Sequence, residues 1–263
     1  MPNLQISNLQ SPMLSPTQCQ QLAETLPDTP EAVIAISQLR RGLARAWLVG
    51  DVGEGETAVW ETAVIEDTGQ PGEPLVFGHD VAQMVGLLAH IPDWFCVNVS
   101  RDCAPALAPL IEEMMGCPVR LLEDVYHTLT QPAPIIIHPD VRLLTPADLA
   151  LLESAPFELQ GVQPRRTLLE MAVAGAVVDG RLVAIAQNYA RTDSYGEIGV
   201  HTLPAYRQKG YATAAAAAVA RYIQSLGLTP VWSCGAHNEA SLRTAVKLGF
   251  HEVSRRMYII LDG

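Results

Sequence analysis

The 263-residue sequence predicts an α/β fold, in the α+β sense, made of two similar units in tandem. Three observations carry this. Short β-rich runs alternate with helical patterns along the whole chain, as mixed sheets covered by helices require. The order of these elements occurs twice. A proline-rich stretch, "LTQPAPIIIHPDVRLLTPADLALL", with Pro132, Pro134, Pro139 and Pro146, separates the two occurrences and sets a boundary near residue 138. The expected units are therefore 1–137 and 138–263.

In the second unit "VRLL" reads as a strand. "TPADLALLES" follows as a helix with Thr145 as N-cap, Pro146 at its first position and Asp148 in its first turn. "EMAVAGAVVDGRLVAIAQNYA" reads as two strands joined at Asp179-Gly180, a pair suited to the positive φ angles of a tight hairpin. "GEIGVHTL" is a third strand, and the alanine-rich run after Gly210 is a long helix, since alanine has the strongest helix propensity. "TPVWSCGA" is a strand, "NEASLRTAVKLG" a helix capped by Asn238 and stopped by Gly249, and "HEVSRRMYIIL" a last strand. The first unit repeats that order. "TPEAVIAISQLRRG" is helical, "ARAWLVGD", "TAVWETAVIED" and "PLVFG" are strands, and "HDVAQMVGLLAHI" is a helix. Then come the strand "DWFCVNVS", the helix "APALAPLIEEMMG" and the strand "VRLLEDVYHTLT". A Trp-x-Cys sequence recurs at 94–96 and 232–234, each time between two helices, which suggests an internal repeat.

Composition excludes several classes. No apolar run reaches the roughly 18 residues of a membrane span. The N-terminal "MPNLQISNLQSPML" lacks the basic start and apolar block of a secretory signal, so a cytoplasmic location is expected. Five cysteines at 19, 96, 103, 117 and 234 show neither a disulfide framework nor metal-ligand spacing, and no metal is expected. The net charge of −11 disfavours nucleic acid. That charge is uneven. Residues 1–140 carry five Lys or Arg against eighteen Asp or Glu, whereas 141–263 carry twelve against ten, so an anionic ligand suits the second half. A homodimer is left open, and the acidic first half would suit a cationic acceptor.

The chemistry concentrates in "EIGVHTLPAYRQKGYA", residues 197–212. A strand ends, a turn follows, and Arg207-Gln208-Lys209-Gly210-Tyr211-Ala212 opens a helix. Free N–H groups at a helix start, with the helix dipole, bind phosphate. Gly210 allows close backbone approach, and Ala212 removes bulk. Arg207 and Lys209 beside that positive end make sense when a ligand with several negative charges sits there.

These residues resemble the Arg/Gln-x-x-Gly-x-Gly/Ala signature of the GNAT superfamily of N-acetyltransferases. "NEASLRTAVKLGF" resembles a later element of the same superfamily at the expected spacing, and the resemblance spans about residues 141–260. It implies a GNAT-like mixed, mostly antiparallel twisted sheet in each unit and acetyl-CoA as acyl donor. Its pyrophosphate would lie on Arg207, Gln208, Lys209, Gly210, Tyr211, Ala212 and Thr213. Its pantetheine arm would lie along Val200 and Thr202 in a gap between two splayed strands, with Asn238 and Ser241 as further contacts. Glu197 sits where many members carry a general base, and its apolar neighbours Ile198 and Val200 favour a raised pKa. Asn238 is assigned a catalytic contact as well, and His201 is the second candidate base. The tyrosine that often serves as general acid is replaced by Ala245, which leaves Tyr211 and Tyr258 as weak substitutes. The first unit lacks the signature, since "FGHDVAQMV" opens its helix with Asp80, and reads as a degenerate, non-catalytic copy. The implied activity is acetyl transfer to a small amine or amino acid. Acylation of a protein amine, or CoA binding without turnover, are the alternatives.

Overall fold

The computed structural model describes residues 13–52, 57–161 and 163–262. Among them eleven strands form one sheet: β1 (Ala44–Asp51), β2 (Val59–Asp67), β3 (Leu75–Gly78), β4 (Cys96–Ser100), β5 (Val119–Thr128), β6 (Val141–Leu143), β7 (Val173–Val178), β8 (Arg181–Arg191), β9 (Tyr195–Thr202), β10 (Thr229–Gly235) and β11 (His251–Leu261). The helices are α1 (Pro16–Thr25), α2 (Val33–Arg40), α3 (Val81–Leu88), α4 (Ala104–Met115), α5 (Leu149–Glu153), α6 (Phe157–Gln160), α7 (Pro164–Glu170), α8 (Tyr211–Ser225) and α9 (Glu239–Leu248). Every strand and long helix predicted above is present. Helix α1, with a Ser15/Gln18 capping box and Pro16 in its first turn, is an addition.

The strand order is β1-β2-β3-β4-β11-β5-β10-β9-β8-β7-β6. Strands β3–β4 and β9–β10 are parallel, each joined by a crossover helix (α3 or α8), while the remaining neighbours are antiparallel. The order is thus two similar halves related by an approximate two-fold between β11 and β5. The halves do not close separate sheets. Strand β5 of the first half inserts beside β10 of the second, and β11 of the second lies beside β4 of the first. The topology supports the internal repeat, but the Trp-x-Cys pair does not mark equivalent positions. Trp94 precedes β4, whereas Trp232 lies inside β10.

Helices α3, α4, α8 and α9 cover one face of the sheet. Met84, Leu87, Leu107 and Ile111 pack on Val97, Val99 and Ile259 in the first half. Ala215, Ala216, Val219 and Leu248 pack on Ile198 and Trp232 in the second. The alanines let α8 approach the sheet closely. On the other face, α1 and α2 pack on Ala46, Leu48 and Ile65, and α5–α7 pack on Leu182 and Ile185. Between these groups, Val33 of α2 covers Tyr126, Ala190 and Val231 at the middle of the sheet.

Candidate active site

Strand β9 ends at Thr202, a 3-10 turn spans Pro204–Tyr206, and α8 starts at Tyr211. Gln208 (φ 63°) and Gly210 (φ 84°) bend the backbone through the left-handed region between them. A Cβ at Gly210 would meet little, His138 at 4.0 Å, so the glycine answers to its dihedral rather than to crowding. Gly210 is the N-cap, and no side chain caps the helix. The first intrahelical acceptor is Gly210 O, bonded by Ala214 N at 3.0 Å, which leaves the N–H groups of Tyr211, Ala212 and Thr213 without helical partners. Exposed Arg207 and Lys209 flank this cradle. Arg207 donates to Thr202 O (3.2 Å), Lys209 lies 5.0 Å from the Tyr206 ring, and neither has an acidic partner among the described residues. The corresponding helix of the first half is closed. At α3, Asp80 Oδ1 accepts from Ala82 N (2.9 Å) and Gln83 N (3.1 Å).

Strands β9 and β10 pair only from Tyr195↔Thr229 to Glu197↔Val231. Beyond that point β10 pairs with β5, through Gly235↔Asp124, while β9 stays on β8 to Thr202. The two strands splay, and a cleft of about 680 Å³ runs from this wedge to the mouth of α8 and the start of α9. Val200, Thr202, Arg207, Gln208, Lys209, Gly210, Tyr211, Ala212, Thr213, Asn238 and Ser241 all line it. Asn238 caps α9 by accepting from Ser241 N (3.2 Å), and Ser241 Oγ accepts from Trp232 Nε1 (2.9 Å). His201 also lines the cleft, as do Arg243, Thr244 and Lys247 of α9, which sequence reasoning passed over. Their 243, 244, 247 spacing marks one helical face.

Glu197 occupies the last parallel pair. Its side chain turns to the α2 face of the sheet, away from α8, since Ile198 takes the α8 side. Oε1 accepts from Ser233 N (3.0 Å) and Ser233 Oγ (2.8 Å), while Oε2 is buried without a hydrogen-bond partner among the described residues. Burial pushes its pKa up to about 7, against the pull of the two Ser233 bonds and with a further push from Asp124. Asp124 is itself raised by burial, opposed by the Tyr126 hydroxyl, the Arg256 charge and Asn98. Tyr126 is the register partner of Ser233. Ser233, Tyr126 and Asp124 were not foreseen, and the last two come from the first half of the chain.

Neither tyrosine considered as acid stands at the wedge. Tyr258 lies on β11, separated from β9 by β5 and β10. The Tyr211 hydroxyl donates to Asp140 Oδ2 (3.4 Å), and its ring meets His138 edge-on. Ala245 is fully buried in the α8–α9 core, so that position does not face the cleft.

A second cavity, of about 330 Å³, lies on the α2 face where the halves meet, with Gln38, Asp67, Gln70, Gln187 and Tyr189 in its lining.

Residues 174–259 match the family model for the GNAT acetyltransferases. No curated protein matches the chain in sequence. Among solved structures, the fold is similar to a GCN5-related N-acetyltransferase-like protein from Streptococcus suis 89/1591. The identity is 19%, the match covers 93% of this chain and 98% of that one, and the TM-score is 0.66. It is also similar to a GCN5-related N-acetyltransferase from Kribbella flavida, with 15% identity, 89% and 96% coverage and a TM-score of 0.58. A tandem GNAT protein from the clavulanic acid biosynthesis pathway matches at 16% identity, 94% and 96% coverage and a TM-score of 0.56. At these identities the likeness is one of fold.

Proposed function

We propose, for a chain whose residues 174–259 match the GNAT acetyltransferase family model, that it transfers acetyl from acetyl-CoA to a primary amine of a small molecule or amino acid. The difference between its two pseudo-equivalent helix mouths carries this reading. The mouth of α3 is filled by its own Asp80, while that of α8 has a glycine cap, unspent N–H groups and two unpaired cations. An uncapped 15-residue helix with such flanks suits a diphosphate, and the adjoining wedge suits an extended arm hydrogen-bonding to β9 around Val200 and Thr202. On this reading residues 138–263 are the catalytic unit. Residues 1–137 are non-catalytic and complete the sheet beside it.

The reaction is direct attack in a ternary complex. The amine nitrogen attacks the thioester carbon, the C–S bond breaks, and the amine proton passes to Glu197, directly or through water. The raised pKa of Glu197 suits a base working near neutral pH. With Ala245 buried and neither Tyr211 nor Tyr258 at the wedge, the thiolate leaves without either tyrosine as its acid.

The test is acetyl-CoA with a panel of amines, read by release of free thiol, together with calorimetry of acetyl-CoA. Arg207→Ala combined with Lys209→Ala is expected to weaken acetyl-CoA binding at least tenfold, since two charge-assisted contacts are lost. Unchanged affinity rejects the cradle, and binding without thiol release on any amine favours a CoA-binding protein without turnover.

A further inference from the structure

The donor cleft lies along one side of β9; the 330 Å³ cavity approaches the same strand from the opposite face. Two of its lining residues, Gln187 and Tyr189, flank Gly199. Gln187 is the register partner of Gly199, and a Cβ built on Gly199 would lie 3.7 Å from Tyr189 Cβ and 3.8 Å from Gln187 Cγ. The next residue, Val200, already lines the donor cleft. Glu197 shares the face of Gly199 by strand alternation. The second cavity therefore ends on the two β8 side chains that flank Gly199, next to the residue at which the donor cleft meets β9 and two residues from Glu197.

The chemistry of the second cavity is selective. Asp67, from β2 of the first half, accepts from Gly69 N (2.7 Å), Gln38 Nε2 (2.9 Å) and the Tyr189 hydroxyl. No cation pairs with it among the described residues. Arg41, the guanidinium in the lining, is spent on Glu170 (3.0 Å) and on Gln38 Oε1 (3.3 Å). The side-chain amides of half-buried Gln187 and exposed Gln70 have no hydrogen-bond partner among the described residues and border the open space. The cavity thus presents two carboxylates without a cation partner among the described residues, buried Asp67 and exposed Glu158, together with free amides and no free cation. Its volume is at the small end of the roughly 300–1,000 Å³ usual for ligand sites.

We infer that this cavity, on the reading of the chain as an acetyl-CoA-dependent N-acetyltransferase, receives the acceptor. The acceptor is a small primary amine whose other polar group is neutral, an amide or hydroxyl rather than a carboxylate. The first half of the chain supplies the wall that selects it. An approaching ammonium is attracted by Asp67, and a neutral amide can pair with Gln187. A carboxylate on the acceptor would face Asp67 with no cation to receive it, and an unpaired charge entering a partly buried site is penalised.

The test pairs L-amino acid amides with the parent free amino acids (alanine, serine and glutamine) as acceptors at fixed acetyl-CoA, with rates referred to each free-amine fraction. The amides are expected to exceed the acids at least tenfold in kcat/KM. Asp67→Asn is expected to shrink that ratio at least threefold. Gln187→Leu is expected to raise KM for the amides at least tenfold while acetyl-CoA affinity changes less than twofold, and this second variant decides the matter if the first does not fold. Free amino acids accepted as well as their amides overturn the inference, and so does an unchanged KM in Gln187→Leu. Failure to bind acetyl-CoA overturns the reading beneath it; acetyl-CoA binding with no transfer to any amide overturns the acceptor class alone.

Discussion

Replacing Glu197 by Gln tests the central feature of the site twice over. In the fold the carboxyl titrates near about 7, against an ordinary value of 4.5. At about 1.4 kcal/mol per pH unit, that gap means ionisation of Glu197 opposes folding by about 3 kcal/mol. The native state holds the proton more tightly than the unfolded chain. The contribution is therefore fully present below pH 4.5, declines as pH rises through about 7, and is lost above it. Glutamine keeps the neutral form at every pH, and its Oε1 can accept both bonds from Ser233. The variant should lie within about 1 kcal/mol of the wild type in urea unfolding at pH 5 and exceed it by about 3 kcal/mol at pH 8. Its kcat/KM should fall about 10²- to 10⁴-fold, the usual worth of a general base. The wild-type rate, referred to free amine, should climb with pH and level off near 7, and the variant should lack that limb. A stability difference that is constant from pH 5 to 8, or a limb retained in the variant, refutes the assignment of a buried, titrating base.

Two further substitutions examine the rest of the site. Gly210→Asp gives α8 the carboxylate cap that Asp80 gives α3; the left-handed φ costs about 1–2 kcal/mol and the new cap returns about 1 kcal/mol. Thermal melting should therefore move little, while calorimetry should register a loss of acetyl-CoA affinity of about a hundredfold or more as charge repulsion replaces the N–H cradle. Ala245→Tyr should not supply the missing acid. Ala245 is wholly buried against α8, so the larger side chain should cost about 1–3 kcal/mol of stability, visible as a lower midpoint in urea. A faster reaction at unchanged stability would mean that this face of α9 looks into the cleft.

What was legible in the sequence depended on how local the signal was. The hairpin at Asp179-Gly180 takes positive φ at both residues (49° and 72°), as its composition foretold. Asn238 caps α9 with its own side chain, Gly249 ends the helix at φ 91°, and all eleven residues expected to contact the cofactor line one cleft. Each of these rests on a handful of neighbouring residues. Ser233 was missed because its bond to Glu197 joins residues 36 apart. Tyr126 and Asp124 were missed because β5 reaches β10 only through an exchange between halves, which no local pattern records. Helix α1 was a different omission. Its Ser-Pro-Thr-Gln start is a readable capping box, passed over because the helix has little apolar periodicity.

That exchange also bears on why a first half without a phosphate cradle has a place beside the second. The wedge opens only because β10 leaves β9 after Val231 and goes on pairing along its other edge, and the partner on that edge is β5. Strand β11 in turn lies between β5 and β4, both from the first half. Take residues 1–137 away and β10 loses its outer ladder, β11 loses both neighbours, and Asp124 and Tyr126 leave the vicinity of Glu197. Unpaired edges of that length are costly and prone to misassociation. The polar wall of the second cavity would go as well, since Gln38, Arg41 and Asp67 belong to the first half. The α3 mouth of the first half is closed by Asp80, yet that half is built into the strand geometry of the wedge and the electrostatics around Glu197. The strand exchange and the two differing helix mouths, one closed by Asp80 and one open at Gly210, belong to the same two-fold arrangement.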